Sequence, residues 1–430
     1  MIYLIIMSIE FTPIKLSYIP EFNKLIMQQE VNHGTKFLKV TNIETKNGIH
    51  SNYKVITYDK SILCEELVST YGLCRSIIIN SDQKMIGYAP PKSVSSDSFI
   101  KNHSLQDSAI VAEEFVEGTM INVFWDPTIG VTGGWEIATR NTVGATCCFF
   151  KSKNSKTFRT MFLEACNVNH LDLDELNKDY SYSFVLQHPE NRIVVPFKPI
   201  KLYLIAVYLI DSSNIKDVIV YSMHLDNLTN EIMQHLGLLN TQVHFPKKYL
   251  GAHSYSELID TYASMNTPYD ILGLVIYDKN SGERTKIRNP IYEQVRQLRG
   301  NQPKLQYQYL RLRNEGKVAD FLKYFNENKR EFSEFRDQVH LFTNTLFSNY
   351  HACYVKKEKP LMEYSEQYRT HMFNLHRKYL DELREEKQFI TNKIVKKYVN
   401  EMHPSLLMYS LNYSLRKRNV DLMEEETLIL

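Results

Sequence analysis

Between Tyr53 and Val275 the apolar residues come in short, β-branched runs broken by Gly, Pro, Asn or Asp. They are SIIIN (Ser76–Asn80), MINVFW (Met120–Trp125), WEIATR (Trp135–Arg140), YSFVLQ (Tyr182–Gln187), NRIVVPF (Asn191–Phe197), KLYLIAVYLI (Lys201–Ile210) and LGLVIYD (Leu272–Asp278). Runs of this length and composition predict strands. The turn signals from Asp126 (DPTIG) and Thr132 (TGG) predict hairpins rather than parallel crossovers. Helical stretches interrupt the pattern at Phe158–Ala165 and Asn227–Leu238. The expected fold is α+β with largely antiparallel sheet.

After about Asn301 the period changes. Phe332, Phe335, Val339, Phe342 and Leu346 fall on one helical face, as do Tyr364, Tyr368, Met372, Leu375 and Tyr379. A third helix is predicted from Glu386 to Tyr398, closed off at Met402–Pro404 because proline cannot continue a helix. The charge-dense stretch around Lys356 and Lys357 reads as a loop. The chain is therefore expected to hold an N-terminal extension with a first helix (1–42), an α+β domain (43–300) and an all-helical C-terminal domain (301–430), with no internal repeat.

Composition narrows the functional classes. Of 430 residues 43% are hydrophobic and 23% charged, the balance of a globular protein rather than a disordered one. Lys and Arg total 51 against 49 Asp and Glu, so any nucleic-acid-binding surface must be local. The opening MIYLIIM is far short of the roughly 20 apolar residues that span a bilayer and lacks signal-peptide features. The expectation is an unanchored cytoplasmic protein without a membrane partner, with Met7 as an alternative start. Six cysteines (Cys64, Cys74, Cys147, Cys148, Cys166, Cys353) without a CxxC pair read as reduced thiols. His371 and His376, five residues apart, do not share a face as an i, i+4 metal pair would, and no metal site is expected. The abundance of Tyr, Asn, Ile and Lys suits an AT-rich genome.

The stretch EEFVEGTMINVFWD, Glu113–Asp126, places an acidic residue, a glycine and a hydroxyl residue ahead of a strand. Around it stand YGLCRSIIIN (Tyr71–Asn80), PPKS (Pro90–Ser93), WEIATRN (Trp135–Asn141), FVLQHPENRIV (Phe184–Val194), LGLV (Leu272–Val275) and TKIRN (Thr285–Asn289). In this order and spacing the series resembles the covalent nucleotidyltransferases, specifically the phage-type and tRNA-splicing-type RNA ligases, from about Ile43 to Arg311. The resemblance implies that family's fold, followed by a helical domain such as phage-type ligases append. It implies that Arg75 matches an arginine ahead of a β-strand and Lys92 a lysine on the Pro-rich strand that follows. It also implies phosphate or nucleotide contacts at Glu117, Gly118, Arg140, Arg192, Lys286 and Arg288, with Asn191 retained beside Arg192.

The resemblance also marks departures. In the family a lysine three residues before the glycine attacks the α-phosphate of ATP, as an amine of lowered pKa can. That position is Phe115, and no lysine lies between Lys101 and Lys151. Carboxylates that would help hold a divalent cation are matched by Val185 and Leu272, which offer no oxygen ligand. The leading expectation is therefore a catalytically degenerate RNA ligase-like protein keeping a basic cleft for a nucleotide or RNA, with no catalytic residue and no certain cofactor.

The alternatives are an active ATP-dependent ligase using a displaced lysine, Lys92 or Lys286, with ATP and Mg²⁺, or a structural viral protein on the same fold. A viral source, a large DNA virus, would place it in a viral factory or virion. The helical domain is a candidate surface for a protein partner. The plainer readings are Phe115 as a core strand residue, Lys286 and Arg288 as a solvated strand face, and HPENR at His188–Arg192 as a polar turn with His188 structural. Leu415–Asn419 reads as a solvated basic run and Glu424–Glu426 as the start of an acidic tail.

Overall fold

The computed structural model describes residues 9–27, 34–45, 51–149, 155–214 and 217–416. The opening MIYLIIM, the acidic Glu424–Glu426 and most of the basic run at Leu415–Asn419 lie outside them. Two compact units are formed, Met1–Gln294 and Val295–Leu430.

The first unit is built on thirteen strands among the described residues: β1 (Phe11–Lys15), β2 (Leu38–Thr45), β3 (Ser51–Tyr58), β4 (Ile77–Ile79), β5 (Met85–Tyr88), β6 (Ile110–Glu114), β7 (Thr119–Asp126), β8 (Gly134–Ala138), β9 (Tyr180–Gln187), β10 (Lys201–Asp211), β11 (Ile219–Met223), β12 (Gly273–Asp278) and β13 (Arg284–Arg288). Its helices are α1 (Phe22–Met27), α2 (Ser96–Asn102), α3 (Phe158–Val168), α4 (Asn230–His235) and α5 (Tyr255–Tyr262), with α6 (Pro290–Arg299) at the boundary. Three sheets result, ordered β1-β11-β10-β9-β7-β8, β13-β12-β6 and β2-β3-β4-β5. Every ladder between these strands is antiparallel.

The six-stranded sheet is the central layer. Alternation along β9 sends Tyr182, Phe184 and Leu186 to a core shared with Phe158, Met161 and Phe162 of α3. A register shift between Leu204 and Ala206 in β10 lets Ala206 and Tyr208 pack with Ile56, Ile77 and Tyr88 of the four-stranded sheet on the opposite face. The three-stranded sheet packs one face against helices: Ala112, Leu274, Ile276 and Ile287 lie with Phe99 of α2 and Leu258 of α5. Its other face, by the same period of two, carries Glu113, Val275, Tyr277, Arg284, Lys286 and Arg288.

Several sequence expectations need correction. The segment ahead of Ile43 is more than an extension with a helix, because β1 pairs residue for residue with β11 along the edge of the central sheet. NRIVVPF is not a strand: the amides of Val194 and Val195 donate to the Glu117 carboxylate instead of to a ladder. Lys92 does not lie on a strand either, but in an extended segment whose backbone amide reaches the Gly72 carbonyl. The helix expected over Asn227–Leu238 is confined to α4, where Thr229 accepts from the Ile232 amide as N-cap.

In the second unit α7 (Leu305–Asn314), α8 (Val318–Tyr324), α9 (Lys329–Tyr350), α10 (Glu366–Lys378), α11 (Asn392–Glu401) and α12 (Pro404–Leu411) follow, with no strand among the described residues. The face read from the sequence is the packed one: Phe332, Val339, Phe342 and Leu346 are buried along α9, and Met372 and Leu375 along α10. The helix predicted from Glu386 begins only at Asn392, because Thr391 caps it through the Ile394 amide and Lys387 adopts a positive φ of 54°. Pro404 does not merely end that helix. It opens α12 from a first-turn position, where the missing N–H costs nothing.

Candidate functional site

The loop Phe115–Gly118 leaves β6 of the three-stranded sheet and enters β7 of the central sheet, so it joins two layers. Gly118 has φ +149°, and a Cβ there would stand 2.5 Å from the Leu186 carbonyl oxygen and 2.6 Å from Cγ1 of Val185. Only glycine allows β7 to enter this close to β9. Beside it Glu117 is buried, and its Oε1 accepts from the Val194 amide at 2.7 Å while Oε2 accepts from the Val195 amide at 3.1 Å. The Gln187 side-chain amide donates to the Glu117 carbonyl at 2.9 Å. Burial pushes the Glu117 carboxyl up to about 7, against the pull of those two amides, the Tyr292 hydroxyl and the Arg192 charge.

Phe115 is neither a core residue nor in a strand. It is half-buried between β6 and β7, and its amide donates to the Gly273 carbonyl at 3.1 Å. Gly273, at φ +133°, could not carry a Cβ, which would lie 2.1 Å from the Ile287 carbonyl oxygen. This brings the start of β12, with Leu272 before it, against the Phe115 loop. Leu272 is buried, as is Val185, which packs with Val116 and Tyr203. The three positions Phe115, Val185 and Leu272, distant in sequence, therefore border one loop through Gly118 and Gly273.

Facing this loop is the charged face of β13. The Lys286 ammonium stands 4.6 Å from the centroid of the Phe115 ring and the Arg288 guanidinium 5.7 Å from it. Lys286 is half-buried, and that desolvation, reinforced by the charges of Arg284, Arg75, Arg288 and Lys92, pulls its amine down to about 5. Arg75 is affected in the same way: burial first, then Arg284 and Arg140, lower it to about 10. Arg140 lies with its guanidinium 4.7 Å from the Tyr58 ring centroid, and with Arg75 it also lowers the Lys60 amine. Arg288 is exposed and paired with Glu293 at 3.1 Å.

The structure thus brings Arg75, Lys92, Lys286 and Arg288 together, with Arg140 joined through Arg75. Arg192 lies beside Glu117, with its Nε donating to the Val194 carbonyl at 2.8 Å. Asn191 is buried and donates to the Thr119 hydroxyl at 2.7 Å. His188 is also buried, bonding Glu164 at 3.1 Å and accepting from the Glu190 amide, which makes it a structural turn residue.

Sequence reasoning missed Arg284 and Glu113. Arg284 belongs to the same alternating row as Lys286 and Arg288, a signal already present in RTKIR. Glu113 stands two strands away from Lys286 in one cross-strand row, Glu113–Val275–Lys286, and burial pushes its carboxyl up to about 7 despite Arg284 and Lys248 nearby. Glu113 and Arg284 line a cavity of about 100 Å³ together with Tyr208, His224, Lys248 and Tyr277.

Among the described residues no group of three or more His, Cys, Asp or Glu could hold a metal ion. His371 is buried and bonds the hydroxyls of Tyr398 and Ser410, each at 2.9 Å. Among the described residues no helix is long and apolar enough to cross a membrane.

No known family profile matches the chain. It is 23% identical over 274 residues to an RNA ligase of Rhodothermus phage RM378, covering 57% of this chain and 60% of that protein. It is 24% identical over 263 residues to the immediate-early protein ICP-46 homolog of Invertebrate iridescent virus 6, covering 57% of this chain and 52% of that one. The chain thus spans little more than half the length of these curated relatives. Among solved structures it is similar to an archaeal ATP-dependent RNA ligase at 12% identity and TM-score 0.36, covering 69% of this chain and 72% of that chain. Another is a Naegleria gruberi RNA ligase, a lysine-to-alanine mutant with ATP and Mn, at 13% identity and TM-score 0.29, covering 44% of this chain and 51% of that chain. The antiparallel α+β architecture, the helical C-terminal region and the similarity to the phage RNA ligase together support an RNA ligase-like nucleotidyltransferase fold.

Proposed function

We propose that the protein is an RNA ligase-like nucleotidyltransferase-fold protein that has lost lysine-nucleotidyl chemistry and keeps a basic cleft for the phosphates of a nucleotide or RNA. The observation that carries this reading is Phe115 itself. It stands three residues before Gly118, where the resemblance calls for the nucleophilic lysine, with Lys286 and Arg288 against its ring. A phenyl ring has no lone pair to donate to phosphorus. The neighbouring positions expected to carry carboxylates, Val185 and Leu272, are buried and apolar. What remains, Arg75, Lys92, Lys286 and Arg288, is suited to phosphate oxygens.

The test is intact-protein mass spectrometry after incubation with ATP or GTP and Mg²⁺ or Mn²⁺, followed by titration with labelled RNA at several salt concentrations. The expected result is no mass increase, with RNA binding that falls linearly in log–log form with salt as phosphate contacts require. A nucleotidyl adduct overturns the reading.

One observation favours a second reading. Lys286 has an amine drawn down to about 5 and sits directly over the ring that replaces the expected nucleophile. In this reading the neutral Lys286 amine attacks the α-phosphorus of ATP, an N–P bond forms as the nitrogen gives up one proton to water, and the α–β P–O bond breaks to release pyrophosphate. An adduct retained in Lys92→Arg and lost in Lys286→Arg establishes it.

A further inference from the structure

Resting on the reading of this face as a phosphate cleft, we propose that it holds a polyphosphate group without a divalent cation, arginine and lysine side chains supplying the countercharge. Three observations point there. First, Arg284, Lys286 and Arg288 alternate along one face of β13, about 7 Å apart from one to the next. Such a row suits a run of phosphates better than a single one. Second, the cluster has charge to spare even with Arg288 paired to Glu293 at 3.1 Å. Lys286 feels Arg75 and Lys92 from other elements as well as its two strand neighbours, and Nε of Arg284 is buried with no hydrogen-bond partner among the described residues. A group of cations this close repels itself until an anion arrives.

Third, the carboxylates that could hold a metal beside these cations are committed or absent. Both oxygens of Glu117 accept backbone amides of Val194 and Val195. Glu113 is buried under the charges of Arg284 and Lys248, and Glu293 is paired with Arg288 at 3.1 Å. Val185 and Leu272 offer no oxygen. A hard divalent cation needs oxygen ligands, and here it would meet ammonium and guanidinium groups instead. A polyphosphate already chelated by Mg²⁺ has part of its charge neutralised, so it should be the poorer ligand.

The experiment is calorimetric titration of the full chain with inorganic triphosphate, pyrophosphate and orthophosphate, in EDTA and then in excess Mg²⁺. The expected result is binding in EDTA in the order triphosphate, pyrophosphate, orthophosphate, weakened about tenfold or more by Mg²⁺. Lys286→Met and Arg284→Met should each weaken triphosphate by about tenfold, and Arg284→Lys should recover part of the loss. ATP, 5′-triphosphorylated RNA and 5′-hydroxyl RNA identify which molecule supplies the group.

A requirement for Mg²⁺, equal affinity for one and three phosphates, or indifference to the Lys286 substitution overturns the proposal. If Arg284→Met does not fold, the Mg²⁺ dependence of the unmodified protein decides alone. A nucleotidyl adduct would overturn the degenerate reading and leave metal-free triphosphate binding standing. Mg²⁺-dependent binding without an adduct would do the reverse.

Discussion

Nζ of Lys286 lies 4.6 Å from the centre of the Phe115 ring, so a lysine from β13 covers the side chain that stands where a nucleophile is expected. The pairing stabilises both partners. The ring covers the stem of the desolvated Lys286 amine, and its negative face attracts the Arg288 guanidinium at 5.7 Å. Phe115→Ala should therefore cost about 1–3 kcal/mol, combining lost cation–π attraction to Arg288, lost packing on the Lys286 stem and a poorly filled loop. Urea denaturation checks this, and a loss below about 0.5 kcal/mol would show that the ring is not holding the cation.

Phe115→Lys is the complementary change, and it should not restore nucleotidyl transfer. It would add an ammonium beside Lys286 and Arg288 while leaving Val185 and Leu272 apolar. The expected outcome is a less stable protein with no mass increase after ATP and Mg²⁺. A nucleotidyl adduct on this variant would mean that the lysine alone had been missing.

Glu117 is predicted to be structural. Its carboxylate satisfies the amides of Val194 and Val195, so Glu117→Ala leaves two buried donors unpaired and should cost about 2–4 kcal/mol, with Glu117→Gln costing less because one oxygen remains. Amide exchange at Val194 and Val195 reads this directly. Protection unchanged in the alanine variant would show that the amides have other acceptors.

Much of this arrangement was legible in the sequence, and the parts that were not share a cause. The strands at Met120–Trp125 and Tyr182–Gln187 and the packed face of Phe332, Val339, Phe342 and Leu346 follow from periodicity, because burial on one face imposes it. NRIVVPF failed although its composition is strand-like. Its amides are claimed by Glu117, more than seventy residues away, and no local window contains that competition. The Gly118 position was readable, whereas its reason, the Leu186 carbonyl at 2.5 Å from any Cβ, is tertiary. Arg284 was overlooked for a different reason: the alternation was applied to Lys286 and Arg288 and stopped one position short.

The titration of Lys286 gives a prediction whose sign is fixed by linkage. In the unfolded chain a lysine binds its proton up to about 10.4, whereas burial and like charges hold the folded Lys286 near 5. Between those values only the unfolded state carries the extra proton, so folding releases it and raising the pH favours the folded state. Glu113 and Glu117 act oppositely. Raised to about 7, they keep protons in the folded state that the unfolded chain has released, and stability falls as pH climbs from the ordinary carboxylate range to 7. Above 7 their contribution is spent and that of Lys286 remains. Between pH 7 and 8 the unmodified protein should therefore gain stability relative to Lys286→Met by up to about 1.4 kcal/mol per pH unit. Saturating triphosphate should abolish the difference in slope, because a bound anion restores the lysine's affinity for its proton. Parallel pH profiles for the two proteins without ligand would place the Lys286 amine in water rather than in the cleft.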